Sequence, residues 1–328
     1  MQFILPKKDL GKYLEEIGKR KGAELFAPLM KQGGSTSFGK LSEGELFLES
    51  NTTFSPKKFF IPHREDLFEF DLKKNSVGIK DLIDKKKRIV FGIRPCDLNA
   101  VKYLDHLLLE FFGKDNFYGE RRKNSYLIGL ECTRAGKNCF CTSLGTNTAE
   151  NYDMLFVPLG KNYWIDVKGK GEDLISRLFR KTSSLKPKIK LNCKKKVNTK
   201  DIAELTDKKF DHKIWEKMGE RCLSCAQCTA SCPTCNCFLI TESIPFGKSK
   251  SLRGRELDYC HLPRFTEVAG NHVFRRERSS RLRQFILHKF NYTLQDHGMI
   301  SCIGCGRCIS ECPVGIDLTE ILGEIRGK

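Results

Sequence analysis

The chain contains the stretch Cys222-Leu-Ser-Cys225-Ala-Gln-Cys228-Thr-Ala-Ser-Cys232-Pro233 and later Cys302-Ile-Gly-Cys305-Gly-Arg-Cys308-Ile-Ser-Glu-Cys312-Pro313. Both follow the pattern C-x2-C-x2-C-x3-C-P, which is the ligand spacing of proteins that hold two 4Fe–4S clusters. Three closely spaced thiolates wrap one cluster, and the fourth is carried past it to bind the other. We therefore predict cluster 1 at Cys222, Cys225, Cys228 and Cys312, and cluster 2 at Cys302, Cys305, Cys308 and Cys232.

Structural zinc and disulfides are the alternatives for these thiols. Zinc modules usually separate two pairs of ligands by a dozen residues or more, whereas here four thiols fall within eleven residues, twice. Sixteen cysteines in 328 residues would suit a disulfide framework in a small secreted domain, but this chain is long enough for real hydrophobic cores. The spacing therefore favours iron–sulfur clusters.

The composition predicts a cytoplasmic protein with no membrane span. The first residues lack the long apolar region of a signal peptide. The longest apolar runs, residues 89–93 and 126–130, have the length of strands and are too short to cross a bilayer. In a reducing compartment the thiols are free to bind metal.

The net charge of +18 has two interpretations. A basic domain is typical of nucleic-acid binding. The alternative is that lysines and arginines cover the surface and offset anionic clusters or acidic partners. The lysines form short, dispersed groups without interleaved aromatic residues, so we expect no nucleic-acid partner.

Strand and helix signals alternate in residues 1–195, which predicts an α/β domain; residues 196–328 predict an α-helical ferredoxin domain with two 4Fe–4S clusters. The charged segment 186–198 is the candidate linker.

Within the first domain, residues 88–94 and 126–130 are apolar strands of the kind buried in parallel sheets. A helix capped by Asp97 follows the first strand. Residues 154–158 and 163–167 form a predicted hairpin, and residues 171–180 a predicted helix.

Four cysteines lie at or just beyond the ends of the two apolar strands. Cys96 and Cys132 follow the strands directly, while Cys139 and Cys141 lie on the loop after the second. Ligand sites in open α/β sheets gather at the carboxyl ends of strands. These four thiols therefore predict a third 4Fe–4S site. The alternative is that they are buried structural thiols, since free cysteine is often buried.

The segment between the two cysteine runs is long and basic. Residues 252–292 are compatible with helix, which favours the arrangement in which helices separate the ferredoxin motifs. The cations of residues 274–289 would either form a solvated helix face or lie near the clusters, raise their potentials and dock an acidic partner. We expect Cys193, Cys235, Cys237 and Cys260 not to be ligands, and His261 to be packed or hydrogen-bonded. No dinucleotide fingerprint is present, and no catalytic residue is predicted.

The N-terminal motifs and the cysteine runs together resemble a known family. The motifs are Gly92-Ile-Arg-Pro-Cys-Asp97, Gly129-Leu-Glu-Cys-Thr133 and Asn138-Cys-Phe-Cys-Thr-Ser-Leu-Gly145. With the two runs they resemble the β subunits of archaeal cytoplasmic sulfhydrogenases, a family that includes the A subunit of anaerobic sulfite reductase. The resemblance covers about residues 88–315, and the first 80 residues lie outside it.

The resemblance implies an iron–sulfur electron-transfer subunit in a multi-subunit oxidoreductase. Its expected neighbours are a flavoprotein with FAD and a 2Fe–2S cluster, similar to ferredoxin–NADP reductase, and a catalytic subunit, either a nickel–iron hydrogenase or a sulfite reductase. The subunit would relay single electrons between them. The alternative function is a self-contained reductase that acts on a small substrate at the N-terminal cluster.

Overall fold

The computed structural model describes residues 1–20, 22–73, 76–244 and 250–327. In these ranges the strands are β1 (Gln2–Pro6), β2 (Glu24–Met30), β3 (Thr36–Gly39), β4 (Glu45–Leu46), β5 (Arg64–Lys73), β6 (Ser76–Asp81), β7 (Arg88–Ile93), β8 (Ser125–Leu130), β9 (Met154–Leu159), β10 (Asn162–Val167), β11 (Arg180–Lys181), β12 (Phe238–Ser243), β13 (Lys250–Leu257), β14 (Glu267–Val268) and β15 (His272–Val273).

The helices in the same ranges are α1 (Leu10–Gly18), α2 (Pro95–Asp105), α3 (Asn116–Lys123), α4 (Ile202–Lys208), α5 (Ile214–Arg221), α6 (Gln227–Ala230), α7 (Arg278–Leu287), α8 (Thr293–His297), α9 (Arg307–Ser310) and α10 (Leu318–Ile325). Two π-helical turns, His106–Phe111 and His288–Tyr292, extend α2 and join α7 to α8. None of the described helices combines the length and apolarity needed to cross a bilayer.

The larger sheet has the order β11-β1-β10-β9-β8-β7-β2-β3, with β4 also paired to β2. Strands β9, β8, β7 and β2 run parallel to one another, and antiparallel strands complete both edges. Every residue of β7 is buried, as the apolar run predicted, because a parallel strand is covered on both faces. The predicted hairpin is β9–β10. The mixed α/β character of this half is confirmed.

Two local predictions in this half are wrong. Residues 171–180 are not a helix: a 3-10 turn spans Gly169–Leu174, and β11 then pairs with β1 at the sheet edge. Asp97 does not cap α2, because its carboxylate forms an ion pair with Arg307. The candidate linker, residues 186–198, lacks helix and strand and packs against the rest of the chain, since Cys193 is buried and Lys195 pairs with Asp317; its role as a linker stays a prediction.

A smaller sheet joins the two halves of the chain. Its order is β12-β13-β5-β6, with all strands antiparallel. Residues 252–292 were expected to be helical, but β13, β14 and β15 lie in this range, so that expectation is wrong before residue 278. Helix α7 and the turn after it are helical as predicted. The backbone of β13 pairs with β5, and Gly254 lies too close to the Glu65 carbonyl for a side chain. The domain boundary at residue 195 stays a prediction, and these pairings cross it.

Candidate iron–sulfur centres

The two cysteine runs have the same backbone shape. In the first run Ser224 and Ala226 have positive φ angles of 52° and 60°; the equivalent residues of the second run, Gly304 and Gly306, have φ angles of 63° and 72°. This left-handed conformation curls each loop around its thiols. The Ser224 N–H donates to the Cys222 sulfur at 3.4 Å, and the Gly304 N–H donates to the Cys302 sulfur at 3.5 Å. The sequence repeat is thus also a structural repeat.

The thiols predicted for cluster 1 line one cavity, here called cavity 1, of about 530 Å³ including its opening to solvent. Its cysteines are Cys222, Cys225, Cys228 and Cys312, together with Cys308 of the second run. Apolar residues from α7 and from the turn after Cys312 form much of the remaining wall. The fourth cysteine of the second run therefore lies with the first three of the first run, as the crossed ligand assignment requires.

The complementary set lines cavity 2, of about 290 Å³. Its cysteines are Cys232, Cys302, Cys305 and Cys308. Because Cys308 borders both cavities, cavities 1 and 2 are neighbours. Phe140, from the N-terminal half, contributes to the wall of cavity 2.

The four N-terminal cysteines also converge. Cys96, Cys132, Cys139 and Cys141 line cavity 3, of about 380 Å³. The parallel pairing of β7 with β8 places the carboxyl ends of both strands at this edge, which is why Cys96 and Cys132 meet. Cys193, from the segment 186–198, lies beside this group, with its sulfur 3.7 Å from that of Cys141.

The donor set of each cavity fits an iron–sulfur cluster better than a single metal ion. A tetrahedral zinc ion, with Zn–S bonds of about 2.3 Å, requires its thiolate sulfurs to lie about 3.8 Å apart. In the described ranges no three His, Cys, Asp or Glu side chains are grouped closely enough to hold one ion. Four thiols spread around a cavity instead suit a cluster whose irons occupy separate corners.

The loop that carries Cys139 and Cys141 lies directly on the second cysteine run. The Phe140 N–H donates to the Gly304 carbonyl at 2.8 Å, and the Cys139 thiol lies 3.5 Å from the Cys305 carbonyl. A Cβ atom added to Gly306 would lie 2.3 Å from the Asn138 carbonyl oxygen. Cavities 2 and 3 therefore share a thin backbone wall that only glycine permits.

A buried ion pair closes the same interface. Arg307 donates to both carboxylate oxygens of Asp97, at 2.6 and 2.8 Å, and both side chains are almost inaccessible to solvent. Arg307 also donates to the Thr52 carbonyl at 2.6 Å. The pair joins the residue after Cys96 to the second cysteine run and satisfies two charges that would be costly to bury alone.

Burial keeps several of these cysteines protonated when no metal is bound. It raises the pKa of the Cys139 and Cys302 thiols to about 12, and the pKa of Cys228 and Cys308 rises well above the usual range for the same reason. Such thiols become thiolates when iron binds them, so cluster insertion releases protons. Cys232 differs: a hydrogen bond with Cys235, followed by the charge of Lys289, holds its pKa well below the usual range.

Part of the basic segment 274–289 is buried at the cavities. Lys289 is 4% exposed, and its Nζ donates to the Cys232 sulfur at 3.1 Å. Arg281 is 3% exposed and donates to the His261 carbonyl and the Ser224 hydroxyl, at 2.8 and 2.9 Å. These two cations lie by the thiols, as one interpretation of the sequence required, whereas Arg276 and Arg278 are exposed.

His261 is buried and packs against Phe285, with ring centroids 5.1 Å apart. Neither ring nitrogen has a hydrogen-bond partner among the described residues. Burial, with a smaller contribution from Arg281, lowers its pKa to about 4. The neutral ring lines cavity 1, so its N–H is available there as a donor to a bound group.

Sequence reasoning missed two features of the site. Lys57 is buried far from the runs in sequence, yet its Nζ donates to the carbonyls of Cys232 and Cys235, at 2.9 and 2.6 Å. Cys235, Cys237 and Cys260, expected to be non-ligands, come together at a further cavity. The presence of three cysteines outside the predicted ligand sets could have indicated this group. The strand pairing that brings them together was not predicted.

Comparison with known proteins agrees with this geometry. Residues 221–316 match the family described as a 4Fe-4S dicluster domain. Across 95% of its length the chain is 34% identical to "Sulfhydrogenase 2 subunit beta" of Pyrococcus furiosus, and the alignment covers 94% of that protein. No solved structure matches the chain. The likeness to the Pyrococcus protein extends over the N-terminal half as well as the dicluster region.

Proposed function

Because the chain belongs to the family of sulfhydrogenase β subunits, and is thus an iron–sulfur electron-transfer subunit, we propose that it relays single electrons between a flavoprotein subunit and a catalytic subunit. The flavoprotein would carry FAD and a 2Fe–2S cluster and resemble ferredoxin–NADP reductase. The catalytic subunit would be a nickel–iron hydrogenase or a sulfite reductase. The chain's residues set the distances between the clusters and the reduction potential of each cluster, and the bound clusters supply the one-electron chemistry.

The observation that carries this proposal is the contiguity of the three cavities. Cavities 1 and 2 share Cys308, and cavities 2 and 3 meet where the Cys139 thiol approaches the Cys305 carbonyl. We assign Cys222, Cys225, Cys228 and Cys312 to cluster 1, and Cys302, Cys305, Cys308 and Cys232 to cluster 2. We assign Cys96, Cys132, Cys139 and Cys141 to a third 4Fe–4S cluster. The three sites would form a row.

The ends of this row lie nearer the surface than its middle. At cavity 1, Cys225 is exposed and the neighbouring Leu223 is 58% exposed. At cavity 3, Cys132 and Cys139 are partly accessible. In cavity 2, Cys232, Cys302 and Cys305 are buried. A relay with one partner at each end needs this distribution.

We propose a cytoplasmic location for the complex, because its free thiols suit a reducing compartment.

Cavity 3 also bears on the alternative of a self-contained reductase. A cluster that binds substrate needs an iron with an open coordination position, whereas four thiols line this cavity. A complete set of thiolates supports electron transfer over catalysis at this site. We therefore favour the relay.

Anaerobic purification of the tagged chain from its native source tests the relay. A flavoprotein and a hydrogenase or sulfite reductase should copurify, and NAD(P)H should reduce the iron–sulfur clusters only when the flavoprotein is present. The isolated chain should hold no flavin. Stoichiometric FAD in the isolated chain, with NAD(P)H-dependent dye reduction, would contradict the proposal and favour a complete enzyme.

Replacement of Cys132 tests the third cluster. Cys132→Ser in the full-length chain should remove about four irons and four sulfides per polypeptide, because one 4Fe–4S cluster is lost. The EPR signals of clusters 1 and 2 should persist. Asn147→Ala is the matched control, since Asn147 lines the same cavity without a thiol. Unchanged iron in Cys132→Ser would mean that the four cysteines are structural thiols.

A further inference from the structure

A fourth group of thiols lies beside cavity 2, where Lys289 Nζ contacts the sulfurs of both Cys232 and Cys235. Cys235, Cys237 and Cys260 line cavity 4, of about 360 Å³. We propose that these three cysteines and the carboxylate of Asp258 hold a fourth 4Fe–4S cluster. This site goes beyond the three-cluster relay and does not depend on the third cluster.

The β12–β13 hairpin explains why these residues meet. Its first paired residues are Phe238 and Leu257. Extended outward by one residue, the register sets Cys237 opposite Asp258, and the Asp258 N–H does donate to the Cys237 carbonyl at 3.0 Å. Extended by three residues, it sets Cys235 opposite Cys260. Because side chains alternate between the faces of a strand, the extended register puts all four on one face.

Asp258 provides an independent indication of a ligand. It is 7% exposed and lines cavity 4. Its Oδ1 accepts from the Tyr259 N–H at 2.7 Å, but its Oδ2 is buried without a hydrogen-bond partner among the described residues. A buried carboxylate oxygen without a partner is costly. An iron ion in the cavity would satisfy it.

Two buried ammonium groups supply the countercharge that such a cluster requires. Lys289 Nζ lies 3.1 Å from the Cys232 sulfur and 3.6 Å from the Cys235 sulfur, so it stands between cluster 2 and cavity 4. Lys57 donates to the carbonyl of Cys235. Neither lysine forms an ion pair with a carboxylate in the described part of the chain. Buried charges are normally paired, and anionic clusters on both sides of Lys289 would pair these two.

The mixed donor set predicts a distinctive chemistry. Carboxylate oxygen is a harder ligand than thiolate, so the iron bound to Asp258 would be the most easily lost. Oxidation by ferricyanide would then convert [4Fe–4S]²⁺ into [3Fe–4S]⁺, releasing one Fe²⁺ and passing one electron to ferricyanide. The product has its own EPR signal. A cluster with four thiolate ligands should lose an iron less readily.

The full-length, anaerobically purified protein tests the proposal through two variants. Cys260→Ser should lower iron and sulfide by about four each per chain. Cys132→Ser, as a separate variant, should lower them by about four when the third cluster is present. Asp258→Cys should keep the full iron content and lower the 3Fe–4S signal that ferricyanide produces. Asn236→Ala is the matched control, because Asn236 lines cavity 4 without a thiol.

The outcomes separate this proposal from the relay. Full iron in Cys260→Ser, together with a ferricyanide response in Asp258→Cys that equals the wild type, would overturn the fourth site and leave the third cluster untouched. If Cys132→Ser loses iron and Cys260→Ser does not, the fourth site is likewise overturned and the third cluster is retained. If Cys260→Ser fails to fold, Asp258→Cys decides, since it retains a ligand at every position.

Discussion

Lys289 is a buried cation that contacts the sulfurs of Cys232 and Cys235. Burial alone would lower the pKa of its ammonium group, but interaction with Cys232, Cys235 and Cys302 raises it well above the usual value. The side chain is therefore a permanent positive charge inside the protein. A positive charge stabilises the reduced, more anionic state of a nearby cluster, so it raises the reduction potential.

Lys289→Met removes this charge and keeps most of the side-chain volume. For a charge about 6 Å from a cluster at an effective dielectric constant of about 20, the potential of cluster 2 should fall by roughly 100 mV. An EPR-monitored redox titration measures the change. Lys217→Met is the control, because Lys217 is exposed. Identical titration curves for Lys289→Met and the wild type would show that the ammonium is screened from the cluster.

His261→Phe tests a neutral donor at cavity 1. A phenylalanine ring could keep the packing of His261 against Phe285, but it cannot donate a hydrogen bond. Hydrogen bonds to cluster sulfur raise the potential, so cluster 1 should become harder to reduce, by tens of millivolts. The same titration reports the shift, and the potential of cluster 2 serves as an internal reference. A shift in cluster 2 alone would contradict this role.

At the scale of elements, the contact between the loop 138–146 and the second cysteine run depends on glycine. Ala226 of the first run adopts the same left-handed conformation as Gly306, so φ alone does not demand glycine there. What differs is the neighbour: the Asn138 carbonyl lies where the Cβ atom of residue 306 would be. The requirement comes from packing between the two halves.

Gly306→Ala should therefore separate cavities 2 and 3. We expect iron loss from both sites and a large fall in the temperature at which the visible absorbance of the clusters is lost. Gly315→Ala is a matched control, because Gly315 has a φ of 65° with nothing within 4 Å of an added Cβ; it should cost only about 1 kcal/mol. Equal effects of the two substitutions would mean that strain at φ, rather than the contact, is responsible.

The sequence predicted the thiol groups that follow from local spacing or from two clearly apolar strands, and missed the group that forms at strands without an apolar pattern. Apolar runs identified β7 and β8, and their parallel pairing explains the convergence of Cys96 and Cys132. Cys235 and Cys260 meet only through the β12–β13 hairpin, whose charged residues, such as Arg253 and Glu256, did not suggest a strand. Distant pairings such as β5–β13 leave no signal in a single sequence.

At the scale of the whole molecule, the Asp97–Arg307 ion pair and the smaller sheet hold the two halves together. Both contacts join residues that are far apart in the chain. The cluster-binding half is therefore supported by the N-terminal half, which does more than provide a docking surface. This arrangement predicts that substitutions at the interface between the two halves will lower the stability of the bound clusters.

Asp97→Ala leaves the Arg307 guanidinium buried without its carboxylate, which should cost about 3–5 kcal/mol. Thermal loss of cluster absorbance measures the destabilisation. The double variant Asp97→Leu/Arg307→Met replaces the pair by apolar groups and should recover much of the stability, because no charge is then left unpaired. A double variant as unstable as Asp97→Ala would contradict this account.

The smaller sheet also constrains the order in which the chain can fold. Arg255 on β13 contacts Glu65 on β5, although 190 residues separate them. During synthesis the edge of β5 that pairs with β13 stays unpaired until residues 250–257 have left the ribosome. An open strand edge invites pairing with other chains, and charged residues along it discourage this. Strand β5 carries such charges in the sequence Arg64-Glu-Asp-Leu-Phe-Glu-Phe-Asp, which would protect the nascent chain from aggregation until its partner strand arrives.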